Sequence, residues 1–215
     1  MQRTLQPELL DSLASTDPAA LHNRRDLRIT NCVMGNHRWF LRSLPPLLGP
    51  GERVLELGAG TGELARRLHR AGLNVDGLDL WPRPDGWPSS AAWHRTDLLE
   101  FSGGAPYAAV VGNLIFHQFD PAQLAALGAN LRAHSRVILA CEPARRRFSQ
   151  ALFGVFAPLL GANHVSRHDG LVSIAAGFRG DELPRLLGLE TAGWNVHCAT
   201  TALGAYRMVA IRHPS

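Results

Sequence analysis

The sequence predicts an α/β fold: a mostly parallel seven-stranded sheet, helices on both faces, and one antiparallel strand near the C-terminus. Three observations carry that expectation. Short apolar runs alternate with helix-like segments between residues 53 and 141. A glycine-rich loop follows the first of those runs. The last two runs, 191–201 and 205–212, are separated by a short turn at Leu203-Gly204, which implies an antiparallel hairpin.

Taken in order, residues 7–13 and 19–48 read as helical. Asp17-Pro18 supplies a cap and a first turn, and Gly35-Asn36 divides the second stretch in two. Pro45-Pro46 and Gly49-Pro50-Gly51 end it and turn the chain into a strand over 53–57. A helix over 63–71 stops at Gly72. Strands follow over 74–78, 91–95, 108–112 and 136–141, with a Pro-rich loop through Pro88 and a helix over 121–132 between them. Strands alternating with helices build right-handed βαβ units, hence a parallel sheet. The apolar stretch 151–162, interrupted by Pro158, reads as a buried or lid helix.

At 215 residues the chain suits one domain with a sufficient core. We divide it into a helical cap (1–50), a ligand-binding core (51–142), acceptor-side lid helices (143–190) and the C-terminal hairpin (191–215). Hydrophobic residues at 46% and charged residues at 19% exclude a disordered chain. Three dispersed cysteines without CxxC spacing argue for free thiols, no metal site and a cytoplasmic location. No leader pattern opens the chain, and no apolar stretch is long enough to span a bilayer, so no membrane partner is expected. All 22 basic residues are arginine, which excludes Schiff-base and P-loop lysine chemistry. The net charge of +4 permits nucleic-acid binding without demanding it. Arg24-Arg25 and Arg145-Arg146-Arg147 read as solvated helix faces.

The most informative segment runs from Val54 to Leu68. Glycines at Gly58, Gly60 and Gly62 let the backbone turn tightly and approach a ligand with no Cβ in the way. Glu63 stands where a dinucleotide fingerprint needs a third glycine, and it puts negative charge at a helix N-terminus where a pyrophosphate would otherwise sit. The loop therefore favours a ligand without phosphates.

Glu56-Leu-Gly-Ala-Gly-Thr-Gly62 resembles the first motif of the class I, Rossmann-like, S-adenosylmethionine-dependent methyltransferases. The resemblance runs from about residue 53 to residue 141. It implies S-adenosylmethionine as cofactor, S-adenosylhomocysteine as product, and a cofactor site made of Glu56, Leu57, Gly58, Ala59, Gly60, Gly62, Asp79, Leu80, Asp97, Leu98 and Asn113. In it Asp79 accepts the ribose hydroxyls and Asp97-Leu98 meets the adenine. Trp81 and Trp87 are candidates to stack on the base or to cover core.

Ligands of such sheets bind beyond the carboxyl ends of the strands, so Asn113 and His117 should face the transferring methyl. Amino-methylating DNA enzymes of the family carry two prolines after the amide, where this chain has Asn113-Leu-Ile-Phe116. No cysteine follows a proline, and no acidic cluster surrounds Asn113. What remains is metal-independent transfer to a small molecule. A histidine of ordinary pKa suits a phenol or enol proton. His117 is the first candidate base. His168 with Asp169, in Arg167-His-Asp-Gly170, is the second, either as a base with its orienter or as a loop turn.

More loosely, Asp26-Leu-Arg28, Met34 to Trp39 and the Arg167 cluster are similar to small bacterial methyltransferases of polyketide pathways. That similarity implies an aromatic or phenolic acceptor, with Phe116, Phe119, Phe148, Phe153 and Phe156 as pocket walls or core. The chain is expected to be a monomer or homodimer. An RNA or protein methyltransferase and a cofactor-binding module without turnover are the competing readings.

Overall fold

A computed structural model describes residues 1–14, 16–101, 106–190 and 193–213. Its sheet runs β3-β2-β1-β4-β5-β7-β6, with β1 Arg53–Leu57, β2 Asn74–Asp79, β3 Trp93–Arg95, β4 Tyr107–Asn113, β5 Ser135–Pro143, β6 Trp194–Thr200 and β7 Ala205–Arg212. The first five strands pair in parallel, and β7 is antiparallel to both β5 and β6. This is the predicted architecture. Residues 191–192, which open the predicted sixth strand, lie outside the described residues.

The central strands are buried on both faces, as parallel strands must be. On one face Val54, Val75 and Val111 meet α2 (Asn36–Ser43) and α3 (Glu63–Arg70) through Phe40, Leu44, Leu64 and Leu68. On the other, Leu55, Leu57, Val110 and Ile138 meet α4 (Pro121–His134) through Leu124, Leu127 and Leu131. Short α7 (Glu182–Leu186) follows the same face, and Gly128 lets α4 press onto it: a Cβ there would lie 2.3 Å from the Leu187 carbonyl.

The helices that position the site form over the carboxyl edge. Helix α1 (Pro18–Val33) starts as predicted, with the Asp17 carboxylate accepting the Ala19 N–H at 2.7 Å. Gly35, at φ 65°, separates it from α2. Behind it stand α5 (Arg147–Leu159) and α6 (His164–Ala176).

Three local expectations are corrected. Residues 7–13 hold only a single 3-10 turn, Leu10–Ser12. Their backbone groups bond at long range instead: the Asp169 carboxylate accepts the N–H groups of Leu9 and Leu10 at 2.7 and 3.0 Å. The Arg3 guanidinium donates to the carbonyls of Ala176, His117 and Phe119. The chain's start is thus a strap laid over α6 and the turn after β4.

The Arg167–Gly170 cluster is not a loop turn. It lies inside α6, whose N-cap Asn163 accepts the Ser166 N–H at 2.8 Å. Gly170 serves close packing there, since a Cβ would sit 2.1 Å from the Phe153 ring. Of the two readings of residues 151–162, a buried or a lid helix, burial is overturned: Val155, Phe156, Leu159 and Leu160 are exposed.

Candidate functional site

The loop between β1 and α3 has the left-handed backbone its glycines allow, with φ of 61°, 53° and 68° at Gly58, Gly60 and Gly62. An L side chain at each would be strained. The three differ in surroundings. A Cβ on Gly58 would strike Ile115 at 2.7 Å, and one on Gly62 would strike Trp87 at 2.8 Å. On Gly60 it would meet only the Gly58 carbonyl, at 3.9 Å. Gly60 therefore presents bare backbone to open space.

Asp79, the last residue of β2, locks this loop. Its Oδ2 accepts the Gly60 N–H at 2.7 Å and its Oδ1 the Trp81 N–H at 2.9 Å. A carboxylate oxygen has room for a further donor, so Asp79 can accept ligand hydroxyls while it holds the loop. Glu56 lies below, buried on the α3 side of the sheet. Burial, with Asp79 adding its charge, pushes its carboxyl up to about 8, and its Oε2 has no partner.

Among the other residues of the expected cofactor site, Leu57, Ala59 and Leu98 are buried. Leu80 is exposed. Asp97 closes its own turn, accepting the Leu99 N–H at 2.8 Å. Trp87 is core, its Nε1 donating to the Ala91 carbonyl.

Helix α1 crosses above this loop. Arg24 stacks 4.1 Å from the centre of the Trp81 ring; burial lowers its guanidinium pKa, and Asp79 opposes that shift. One face further along, the Asn31 Oδ1 accepts both the Asn113 and the Asn36 side-chain N–H groups at 3.0 Å. Seven residues of helix rise about 10.5 Å, and the two strand spacings from β2 to β4 measure about 9.6 Å. The match lays α1 across the carboxyl edge from Asp79 to Asn113, directly over β1. Arg24 is therefore not the solvated arginine the sequence suggests, although Arg25 is exposed.

Buried side-chain atoms without partners occur among the residues of this loop and roof: oxygens of Asn36, Asn113 and Glu56, and guanidinium nitrogens of Arg24 and Arg66. Folded proteins pair nearly all such groups. A concentration of them beside an open glycine loop fits a polar ligand that brings its own donors and acceptors.

Beyond β4 the chain turns sharply at Leu114, whose φ of 59° is the one positive value at a non-glycine among the described residues. Such a conformation costs about 1–2 kcal/mol. Glu142 holds it in place. This fully buried carboxylate accepts the N–H groups of Ile115 and Phe116 at 2.9 Å and contacts the His117 Nδ1 at 2.6 Å. The His117 Nε2 lies 3.3 Å from Glu8 of the strap. Burial alone would lower the imidazole pKa; Glu142, then Glu8, outweigh it and push it up to about 9. His117 thus holds its proton at neutral pH, with both nitrogens engaged. Burial raises Glu8, but its bond to His117 wins and holds it below the usual range.

A cavity of about 300 Å³ opens beside this chain of charges, lined by Glu8, Asp11, His117, Gln118 and Val172 among others. Of the five phenylalanines expected as pocket walls or core, Phe116 is core, Phe119 packs against it, and Phe148 and Phe156 face outward. His168 is 43% exposed on α6, its Nδ1 3.0 Å from Asp169. Asp169 itself is committed to the strap. The structure therefore brings Glu56, the glycines, Asp79 and Asn113 together under α1. His117 and His168 instead belong to the strap and its support, His117 through Glu8 and His168 through Asp169.

Sequence reasoning missed Glu142, Glu8, Arg24 and Asn31. Only Glu142 left a signal, as an acid ending the apolar run of β5; the others are recruited by partners far along the chain. Among the described residues no group of three His, Cys, Asp or Glu side chains is arranged to hold a metal ion. No described helix is long and apolar enough to cross a membrane.

No protein-family model and no curated protein sequence matches the chain. Solved structures do. The plantazolicin methyltransferase BpumL in complex with SAH aligns with a TM-score of 0.70, at 14% identity, over 93% of this chain and 92% of its own. The chain has the class I methyltransferase fold. The N-methyltransferase NodS from Bradyrhizobium japonicum WM9, in complex with S-adenosylhomocysteine, matches at TM-score 0.56 and 19% identity, over 84% and 87% of the two chains. Magnesium protoporphyrin IX methyltransferase (ChlM) from Synechocystis PCC 6803, with bound SAM, matches at 0.55 and 16%, over 89% and 84%. With this fold, the carboxyl edge under α1 is the place to look for a ligand.

Proposed function

We propose that the chain transfers the methyl group of S-adenosylmethionine to a small-molecule acceptor. The observation that carries this reading is the open backbone of Gly60, held by Asp79 and roofed by α1 between Arg24 and Asn31. The solved neighbours support it, since BpumL, NodS and ChlM each carry SAM or SAH. When bound, the donor supplies an electrophilic methyl on a sulfonium. Gly60 would admit it, Asp79 would accept its hydroxyls, and the unpartnered side-chain oxygens of Asn36 and Asn113 would accept from its donors or those of the acceptor.

Methyl transfer of this kind needs alignment more than acid–base help. His117, protonated and paired on both sides, is in this reading a positioning residue that fixes the turn after β4. An acceptor that ionises by itself, such as an acidic phenol, fits a site without a free histidine base. Nucleic acid is not the partner this reading expects, and no metal takes part in it.

Calorimetry tests the proposal. S-adenosylhomocysteine should bind and NAD should not, or far more weakly. Comparable NAD binding, with no binding of S-adenosylhomocysteine, overturns it.

A further inference from the structure

Helix α5 is built inside out. Its two buried residues are small, Ser149 and Ala157, while Phe148, Val155, Phe156, Leu159 and Leu160 face outward, Leu159 at 75% exposure. Spacings of seven, one, three and one put these five on one face. The strip continues past both helix ends. At the N-terminal end Ser149 abuts Gly204, next to the exposed Leu203 of the β6–β7 turn. At the C-terminal end the Gly161 carbonyl lies 3.0 Å from the His22 Nε2 on α1, beside the exposed Leu21. Monomeric soluble proteins seldom leave a continuous apolar strip of this kind uncovered.

Along α5 and its flanks in sequence, the exposed charges are of one sign. No charged residue occurs from Phe148 to Asn163, and between Arg145 and Ala176 the only acid is Asp169, which is buried. Arg146 and Arg147 are exposed at the start of α5 and Arg167 on α6. At the far end exposed Arg25 reaches His22, 3.4 Å away, and the one acid beside them, Asp26, is buried. An apolar strip with arginines at both ends complements an anionic, oily surface. A second copy is the poorer occupant, because pairing two strips in either direction sets arginines against arginines.

We propose that α5 docks the protein onto anionic lipid bilayers, lying in the interface without crossing it. The strip belongs to the same group of helices, α1, α5 and α6, that covers the carboxyl edge of the sheet. A docked molecule would therefore hold its candidate site close to the lipid, where an acceptor with an apolar tail resides. The docking itself does not depend on methyl transfer.

Cosedimentation with phosphatidylcholine vesicles, with and without phosphatidylglycerol, tests this. The full chain should pellet with the anionic vesicles and be released by salt. F156S/L159S should weaken that binding about 100-fold, the scale for two buried apolar side chains. R146Q/R147Q should weaken it about 30-fold, from two charges near the surface. Both variants should keep the fold, read by their unchanged thermal unfolding, since the altered side chains are exposed. Failure of the wild type to bind anionic vesicles overturns the proposal. So does binding that survives in both variants, or a drop in oligomeric mass in F156S/L159S, which would make a second copy the occupant.

Discussion

Asp79 and Gly60 are joined by a 2.7 Å hydrogen bond from the glycine N–H to the carboxylate. The residue expected to bind the ligand's hydroxyls is also the residue that holds the ligand loop in its left-handed course. In the proposed function, binding and preorganisation reside in one side chain. Asp79→Ala should weaken S-adenosylhomocysteine by about 1.5–3 kcal/mol, the range for hydrogen bonds to a charged group. Asp79→Asn should lose less, since an amide oxygen can still accept the Gly60 N–H. Calorimetry on both variants checks this; unchanged affinity in the alanine variant removes Asp79 from the site.

The sheet was legible in the sequence because its information is local. Apolar runs, glycines and prolines mark each strand from Arg53 to Cys141, and the hairpin turn at Leu203-Gly204 declares itself. The glycine loop was legible for the same reason. The roof was not. Arg24 and Asn31 look like ordinary polar positions of a surface helix, and only the distant Trp81 and Asn113 show that this face is buried. The strap misled more strongly, because Pro7 to Leu13 could have closed helical hydrogen bonds locally. Asp169, some 160 residues away, took those N–H groups instead. Gly170 looked like a turn residue when its missing side chain serves the Phe153 ring.

Asn31 bridges α1 to β4 and α2 with one oxygen that accepts from two amides. Asn31→Leu should leave both donors buried and unpaired, at about 1–3 kcal/mol for each unsatisfied group. Asn31→Asp keeps an acceptor and should lose much less. Thermal unfolding of the two variants separates hydrogen bonding from packing. Equal loss in both would mean that the packing of α1, rather than the amide bridge, holds the roof down.

The paired His117 makes stability depend on pH. Its folded pKa of about 9 lies above the unfolded value of about 6.5. The folded state therefore binds more protons between the two. The contribution of this group is complete below pH about 6.5 and is lost as pH rises through about 9, on the order of 3 kcal/mol. Melting temperature should fall across that window. His117→Gln should be less stable at every pH, since it leaves Glu142 buried without a counter-charge. Its melting temperature should also change less between pH 6.5 and pH 9. An unchanged slope would mean that His117 does not titrate there.

Glu56 acts in the same direction from a lower start. Its folded pKa of about 8 exceeds the ordinary 4.3 of a glutamate, so stability is lost as pH rises through about 8 and the buried carboxyl is forced to ionise. Glu56→Gln replaces that group by a neutral one of the same shape. Relative to wild type, the variant should gain stability on going from pH 6 to pH 9. A parallel pair of stability curves would place the Glu56 carboxylate in contact with water or a cation.

The choice of catalytic base is settled by which pKa the reaction follows. A free histidine base gives a rate that rises through its own pKa, whatever the acceptor. Here His117 is held protonated between Glu142 and Glu8, and the Asp169 beside the exposed His168 also anchors the strap through Leu9 and Leu10. Methylation of two phenols of different acidity should therefore show two pH midpoints that move with the phenols. His168→Ala should cost less than tenfold in kcat, short of the 10²–10⁴ that loss of a general base brings. Asp169→Ala should instead free the strap, so that limited proteolysis cuts ahead of α1. A midpoint that stays the same for both phenols, and disappears in His168→Ala, would make His168 the base.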